Sequence, residues 1–131
     1  MDHDDTTRYM LELDMLERDG TLGNVRAIEL LRSEFALALN ASCFMQLSGA
    51  DIEVGAIWRC VPQAGAARYA VELLLEERHP EMSDEQVAGL VQREFQHAQN
   101  ASHFLRIARE DFGARLIARE RVTRRQTLRA A

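Results

Sequence analysis

Apolar residues recur along the chain mostly at the spacing of an amphipathic helix. In the segment Tyr9–Arg18, Tyr9, Leu13 and Leu16 share one helical face. A longer segment at about 24–48 carries a stripe made of Ala27, Leu31, Ala38, Ala41 and Met45. A third apolar segment runs from about 51 to 60 and ends before Pro62. The pattern therefore predicts three helices in the first half of the chain.

The same pattern returns in the second half at an offset of sixty residues. Arg8-Tyr9 aligns with Arg68-Tyr69, and Glu34-Phe35 aligns with Glu94-Phe95, without a gap. Asn-Ala-Ser at 40–42 recurs at 100–102. Such self-similarity at a fixed period indicates an internal duplication. We predict repeat 1 at about 5–60 and repeat 2 at about 65–120.

These elements predict an all-α helical bundle that forms a single domain over residues 1–131. Two three-helix units would be related by a pseudo-two-fold axis that pairs the long helices at 24–48 and 84–108. The second long helix opens with Ser83-Asp84-Glu85-Gln86, a capping-box pattern. In the first long helix Asn24 is the candidate capping residue, and this signal is weaker than the capping box of the second.

Composition and charge narrow the class of protein. Alanine, leucine, glutamate and arginine, which favour helices, are abundant, and two cysteines are too few for a disulfide scaffold. No apolar run is long enough to span a bilayer, and the acidic N-terminus does not resemble a signal peptide. We therefore expect a cytoplasmic protein without membrane contact. The formal charge is −5, but residues 115–131 hold six arginines against Glu120 and form a basic C-terminal tail.

The two copies differ most in the long helix. Leu37, Leu39 and Cys43 in the first copy correspond to His97, Gln99 and His103 in the second. A helix that is apolar on every side is normally enclosed on every side. We therefore predict that the face bearing Leu37, Leu39 and Cys43 contacts a second copy of the chain, as a homodimer, or another protein. Burial under residues 51–75 is the alternative.

Four glutamates fall on the predicted apolar faces: Glu12, Glu34, Glu72 and Glu94. One carboxylate from each of four helices is the pattern of di-metal sites in helical bundles, and Glu94 and His97 add a Glu-x-x-His element. The first copy lacks the matching histidine, because Leu37 stands there. We therefore favour pairing of these carboxylates with arginines, either Arg8 and Arg68 or Arg59 and Arg119, and we expect no cofactor.

The basic C-terminal tail suggests a different kind of partner, a nucleic acid. Five of its arginines could contact phosphates without reading bases: Arg119, Arg121, Arg124, Arg125 and Arg129. The alternative is that the tail docks on the acidic body of the protein. No glycine-rich phosphate loop or nucleophile elbow is present, so we do not expect an enzyme.

The sequence thus predicts a non-enzymatic helical module for protein interaction or assembly, acting as an adaptor, a structural subunit or an assembly factor. A nucleic-acid-associated protein that uses the tail is the first alternative. A carboxylate-bundle metalloprotein is the second.

Overall fold

The computed structural model describes residues 5–40, 44, 46–49, 52–63, 65–100 and 106–123. Four strands and two helices follow one another as β1 (Asp5–Glu17), α1 (Asn24–Asn40), β2 (Glu53–Gln63), β3 (Ala66–Leu75), α2 (Asp84–Asn100) and β4 (Ala108–Thr123). The predicted all-α helical bundle is therefore wrong. In the part of the chain that is described, only the two long helices are present, and they end well before the predicted positions 48 and 108.

The four strands form one antiparallel sheet in the order β2-β3-β1-β4. The order of elements, β-α-β-β-α-β, together with this strand order, defines the ferredoxin-like split βαβ arrangement. The two strands of the first half are separated by β3, and those of the second half are separated by β1. The two halves are therefore interleaved in a single sheet.

Strand β1 shows why the helical interpretation failed. Alternate residues Tyr9, Leu11, Leu13 and Met15 are buried, as expected for a strand with one face on the core. Leu16, which the helical pattern placed on the buried face, is exposed on the opposite face of the sheet. Strand β3 buries its own alternate residues, Ala67, Tyr69, Val71, Leu73 and Leu75, in the same way. A period of two therefore accounts for both segments.

The starts of the two long helices were predicted correctly. Helix α1 begins at Asn24 and α2 at Asp84. The capping box is confirmed: the Gln86 amide donates to Ser83 Oγ at 3.1 Å, and the Ser83 amide donates to Gln86 Oε1 at 2.9 Å. Reciprocal bonds of this kind satisfy two amides that the helix itself leaves free.

The core lies between the two helices and one face of the sheet. Ala27, Leu31 and Ala38 of α1, with Val87 and Val91 of α2, are buried there. Phe35 and Phe95 make an edge-to-face contact at 5.3 Å between ring centroids, and Phe44 packs against both. The other predicted stripe residues, Ala41 and Met45, lie outside the described residues.

The offset of sixty residues has a counterpart in the structure. Both helices have 17 residues, and they start at positions sixty residues apart, each as the middle element of a strand–helix–strand half. Each outer strand also has a β-bulge near its middle, but the two bulges are not at the same position of the repeat: in β2 it lies between Val54 and Ile57, and in β4 it lies at Ile117, between Leu116 and Ala118. The predicted three-helix unit is thus replaced by a β-α-β unit.

Candidate functional site

The two described helices pack on one face of the sheet, and we call the other face the open face. Thr6, Glu72 and Leu74 of the open face are nevertheless buried. Trp58 of β2 lies on this face opposite Ala70 and remains 53% exposed, and Leu16 of β1 is also exposed. The other side chains of the open face are mostly charged or small: Arg8, Met10, Glu12, Asp14, Cys60, Ala66, Arg68, Ala70, Glu72, Leu74, Gly113, Arg115, Ala118 and Glu120.

Glu12 and Glu72 lie near the centre of the open face, on the adjacent strands β1 and β3. Met10 is opposite Glu72 and Glu12 is opposite Ala70, so the two carboxylates are diagonal neighbours. Both are paired with arginine, as our favoured interpretation of these two residues requires. Arg8 Nη1 lies 3.4 Å from Glu72 Oε2, and Glu12 pairs with Arg115 and, at 3.7 Å, with Arg68.

Two of these arginines bind a second carboxylate. Arg8 also pairs with Glu120 on β4, and Arg68 donates to Asp14 Oδ1 at 2.7 Å. The charges of the open face therefore form cross-strand ion pairs rather than a patch of one sign. Such pairs stabilise the sheet modestly and leave the face close to neutral.

The bulge in β2 holds the Glu72 carboxylate. The Ala56 amide donates to Glu72 Oε1 at 3.1 Å, inside the bulge. A Cβ atom on Gly55 would lie 2.2 Å from that same oxygen. A larger residue at position 55 would therefore displace this carboxylate from the Ala56 amide.

Glu34 and Glu94 are on the other side of the sheet, in the helices. They are 1% and 4% exposed, and no described residue forms a hydrogen bond with either carboxylate oxygen of Glu34 or with Oε1 of Glu94. Burial raises the pKa of Glu34, against the opposing charge of Arg106. Burial likewise raises the pKa of Glu94 to about 7, although Arg93 opposes the shift.

The four glutamates of the metal hypothesis therefore do not converge, because the sheet separates Glu12 and Glu72 from Glu34 and Glu94. His97 is exposed on α2. Within the described ranges, no group of three or more histidine, cysteine or acidic side chains is placed to hold a metal ion.

The most buried polar cluster joins β1, β2, β3 and the start of α1. Arg59 donates to both carboxylate oxygens of Glu17, from Nε at 3.0 Å and from Nη2 at 2.5 Å, and its Nη1 donates to Asn24 Oδ1 at 2.7 Å. The Tyr69 hydroxyl donates to the same glutamate. We call these four residues the first clamp. Burial and the hydrogen bond to Glu17 raise the pKa of Tyr69, and the bond to Glu17 raises that of Arg59.

A second clamp occupies the equivalent place in the other half. Arg119 Nε donates to Glu77 Oε2 at 2.6 Å, Arg119 Nη1 donates to Asp84 Oδ1 at 2.9 Å, and the Tyr9 hydroxyl donates to Glu77 at 2.6 Å. Burial alone would raise the pKa of Glu77, but the bonds from Arg119 and Tyr9 outweigh it and lower that pKa. The predicted alternative, in which Arg59 and Arg119 neutralise the four glutamates of the metal hypothesis, is therefore wrong, because these arginines pair with Glu17 and Glu77.

The predicted partner and phosphate residues are scattered. Leu37 is exposed on α1, while the Leu39 side chain and Cys43 lie outside the described residues. Arg119 is held in the second clamp, and Arg121 is exposed near the end of β4. Arg124, Arg125 and Arg129 lie outside the described residues.

Sequence reasoning missed Trp58. The available signal was its alternation with Ile57, which is buried, and with Arg59, which points to the helix side of the sheet. Recognising it required the assignment of residues 53–63 to a strand.

No protein-family model and no curated protein matches this chain. In the part of the chain that is described, neither helix is long and apolar enough to cross a membrane.

Proposed function

We propose that this chain is a non-enzymatic interaction module that forms a homodimer through the open face of its sheet. The observation that carries the proposal is the exposure of Trp58 on the sheet face turned away from the two described helices. Tryptophan is among the residues that contribute most to binding energy at the centre of protein interfaces. The site of contact thus differs from the α1 face expected from the sequence, although the class of function is the same.

The size of the open face suits a dimer. Strand β3 has 10 residues, and strands rise by about 3.4 Å per residue and lie about 4.8 Å apart. Four such strands cover roughly 34 Å by 19 Å, or on the order of 650 Å² before side-chain relief is added. Stable interfaces bury about 800 Å² per partner, so the open face approaches that size without help from other surfaces.

The charges of the open face favour a second copy over a strongly charged partner. Its arginines are already paired with carboxylates on neighbouring strands, as in the Arg8–Glu72 and Arg68–Asp14 pairs. A two-fold interface must present the same patch on both sides, and a nearly neutral patch does so without repulsion. A nucleic acid would instead require an excess of positive charge.

A reducing compartment, the cytoplasm, is part of the proposal. Cys60 is a free, exposed thiol on the open face, and exposed free thiols are typical of proteins that stay in reducing surroundings.

Analytical ultracentrifugation of the full chain tests the dimer. We expect a dimer at micromolar concentration, and we expect Trp58→Glu to weaken association at least about tenfold, because it replaces an apolar contact with a charge that the interface would bury. Leu37→Glu is the matched control, since Leu37 is 46% exposed, close to the value for Trp58, but lies on α1, which packs on the other face of the sheet. It should leave the dimer intact.

Two outcomes would contradict the proposal. A wild-type monomer at high micromolar concentration would exclude the homodimer. Dissociation by Leu37→Glu but not by Trp58→Glu would move the interface to α1.

A further inference from the structure

Trp58 has an equivalent position in the other half of the sheet, and an alanine stands there. Sixty residues further on, Ala118 of β4 pairs with Met10, just as Trp58 of β2 pairs with Ala70. Met10 and Ala70 are themselves sixty residues apart, so the registers of the two outer strands agree at this point although their bulges lie at different positions. Trp58 and Ala118 are therefore equivalent points of the open face, on opposite outer strands.

The two points differ in relief. The Trp58 side chain is 53% exposed and carries one of the largest apolar surfaces among the amino acids. Ala118 has only a Cβ atom, and it is partly exposed. Its neighbours on the open face have longer side chains, and two of them are held by ion pairs across the strands: Met10, Arg115 paired with Glu12, and Glu120 paired with Arg8. The open face therefore protrudes at Trp58 and has a recess at Ala118.

The centre of the open face lies midway between these two points. Leu11 of β1 pairs with Val71 of β3, its equivalent sixty residues away, so the internal two-fold axis of the sheet passes between them. This axis relates Trp58 to Ala118, which places the two residues on opposite sides of the centre. The size and the charge pattern argued above favour a second copy of the chain as the occupant of the whole face.

Two open faces that meet about a two-fold axis overlap most when that axis passes over their centres. An axis that lies between the faces, perpendicular to the line from Trp58 to Ala118, places each tryptophan over the alanine of the other copy. Contact between the two Trp58 side chains would instead leave both recesses unfilled. Interface cores pack as densely as protein interiors, and unfilled space loses that packing.

We propose that Trp58 of each copy packs into the recess at the partner's Ala118, so that the dimer contains this contact twice. The inference rests on the proposed dimer and specifies the residue that receives the tryptophan. The two halves of the chain thus have different roles in one interface: the first half supplies the protruding side chain and the second half supplies the recess. Alanine at both positions would leave the recess empty, and tryptophan at both would make the two side chains collide.

Two single variants and their combination test the contact by analytical ultracentrifugation of the full chain. Trp58→Ala removes the protruding side chain and Ala118→Trp fills the recess, so each should weaken association at least about tenfold. The double variant Trp58→Ala/Ala118→Trp exchanges the two roles and should restore the dissociation constant to within about threefold of the wild-type value. Val25→Trp is the control, because it adds a tryptophan at a position that is 76% exposed on α1, and it should leave the dimer intact.

A mixture and a spectroscopic signal give independent readouts. An equimolar mixture of the two single variants should form a heterodimer, because one chain then carries two tryptophans and the other carries two alanines. Trp58 is the only tryptophan of the chain, so its fluorescence reports on the contact directly. We expect its emission maximum to move to longer wavelength when dilution dissociates the wild-type dimer, and the double variant should show the same change.

The possible results separate this inference from the proposed dimer. A wild-type monomer would contradict the dimer itself. A dimer that Trp58→Ala weakens but a folded Ala118→Trp leaves intact would overturn the contact and retain the dimer. Failure of both the double variant and the mixture to associate, with circular dichroism showing folded chains, would also overturn the contact. If Ala118→Trp does not fold, Ala118→Leu replaces it: a smaller loss of association is expected, and an unchanged dimer would again overturn the contact.

Discussion

The two clamps share an arginine, a glutamate and a tyrosine in equivalent places but differ in their exposure to water. In the first, the side chains of Arg59 and Glu17 are 3% and 2% exposed; in the second, those of Arg119 and Glu77 are 10% and 6% exposed. The third partner differs as well, since Arg59 binds the neutral amide of Asn24 and Arg119 binds the carboxylate of Asp84. The charges of the first clamp therefore cancel, whereas the second clamp carries an additional negative charge.

Each clamp also joins the two halves of the chain. Tyr69 from the second half donates to Glu17 of the first, and Tyr9 from the first half donates to Glu77 of the second. In each case the arginine comes from an outer strand and also reaches the start of a helix. Each clamp therefore links an outer strand and the start of a helix to a central strand of the sheet. We expect its contribution to the free energy of unfolding to depend on how far water reaches it.

The largest expected effect comes from removing the arginine of each clamp. Arg59→Ala leaves the Glu17 carboxylate buried without its charged partner, which typically costs about 3–5 kcal/mol. Arg119→Ala should cost about 2–3 kcal/mol, because water can reach the second clamp and solvate Glu77. Urea denaturation of both variants measures the two free energies of unfolding. Equal losses, or a larger loss for Arg119→Ala, would show that exposure does not distinguish the clamps.

Gly55 offers a second comparison, because it lies in the bulge of β2 whereas Arg115, sixty positions further on, pairs regularly with Glu12. Gly55→Ala would push the Glu72 carboxylate away from the Ala56 amide, and we expect a loss of about 2 kcal/mol. Gly89→Ala in α2 is the control: a Cβ atom there meets nothing within 4 Å, and alanine favours a helix by about 0.5–1 kcal/mol. Thermal unfolding should therefore shift in opposite directions for the two variants, and a neutral Gly55→Ala would argue against the close approach.

The smallest expected effect concerns the buried carboxyl group of Glu94. Its pKa is raised to about 7 from an ordinary value of 4.5, so the folded state favours the protonated form. The resulting stabilisation is complete below pH 4.5 and is lost as the pH rises through 7. Glu94→Gln should remove this dependence and leave the variant about 1–2 kcal/mol more stable than the wild type at pH 8.

Glu34→Gln extends this comparison to the first half, where burial also raises the pKa of the carboxyl group. Chemical denaturation at pH 5 and pH 8 provides the measurement for both variants. Parallel pH profiles for the wild type and Glu94→Gln would show that Glu94 is ionised in the folded protein at both values.

The parts of the fold that could be predicted are those specified by local sequence. The start of α2 was correct because Ser83 and Gln86 satisfy each other's amides within one turn. The offset of sixty residues was visible because identical residues recur in register. The strands were missed because Tyr9 and Leu13 fit a helical face as well as an alternating one, and leucine, alanine and glutamate favour helices locally. Pairing with distant strands overrides that preference, and no window of the sequence contains the partner strand.

The candidate sites depended on the fold even more strongly. The pairing of Glu12 and Glu72 with arginines was predicted correctly, because a carboxylate on an apolar face needs a cationic partner and arginine is the available one. The partners were not fully identified: Arg115 faces Glu12 only through the register of β1 with β4. The exposure of Trp58 follows from the assignment of residues 53–63 to a strand and from the sheet order, which the sequence pattern did not contain.

The interleaved strand order has a consequence for synthesis on the ribosome. Strands β1 and β2 are not neighbours in the sheet, so the first half emerges before either of its strands has the central partner β3. Even after β3 appears, the outer side of β1 stays unpaired until residues 108–123 have been made. Most of the chain must therefore leave the ribosome before the sheet is complete, and its unpaired strand edges are exposed to wrong partners during that interval.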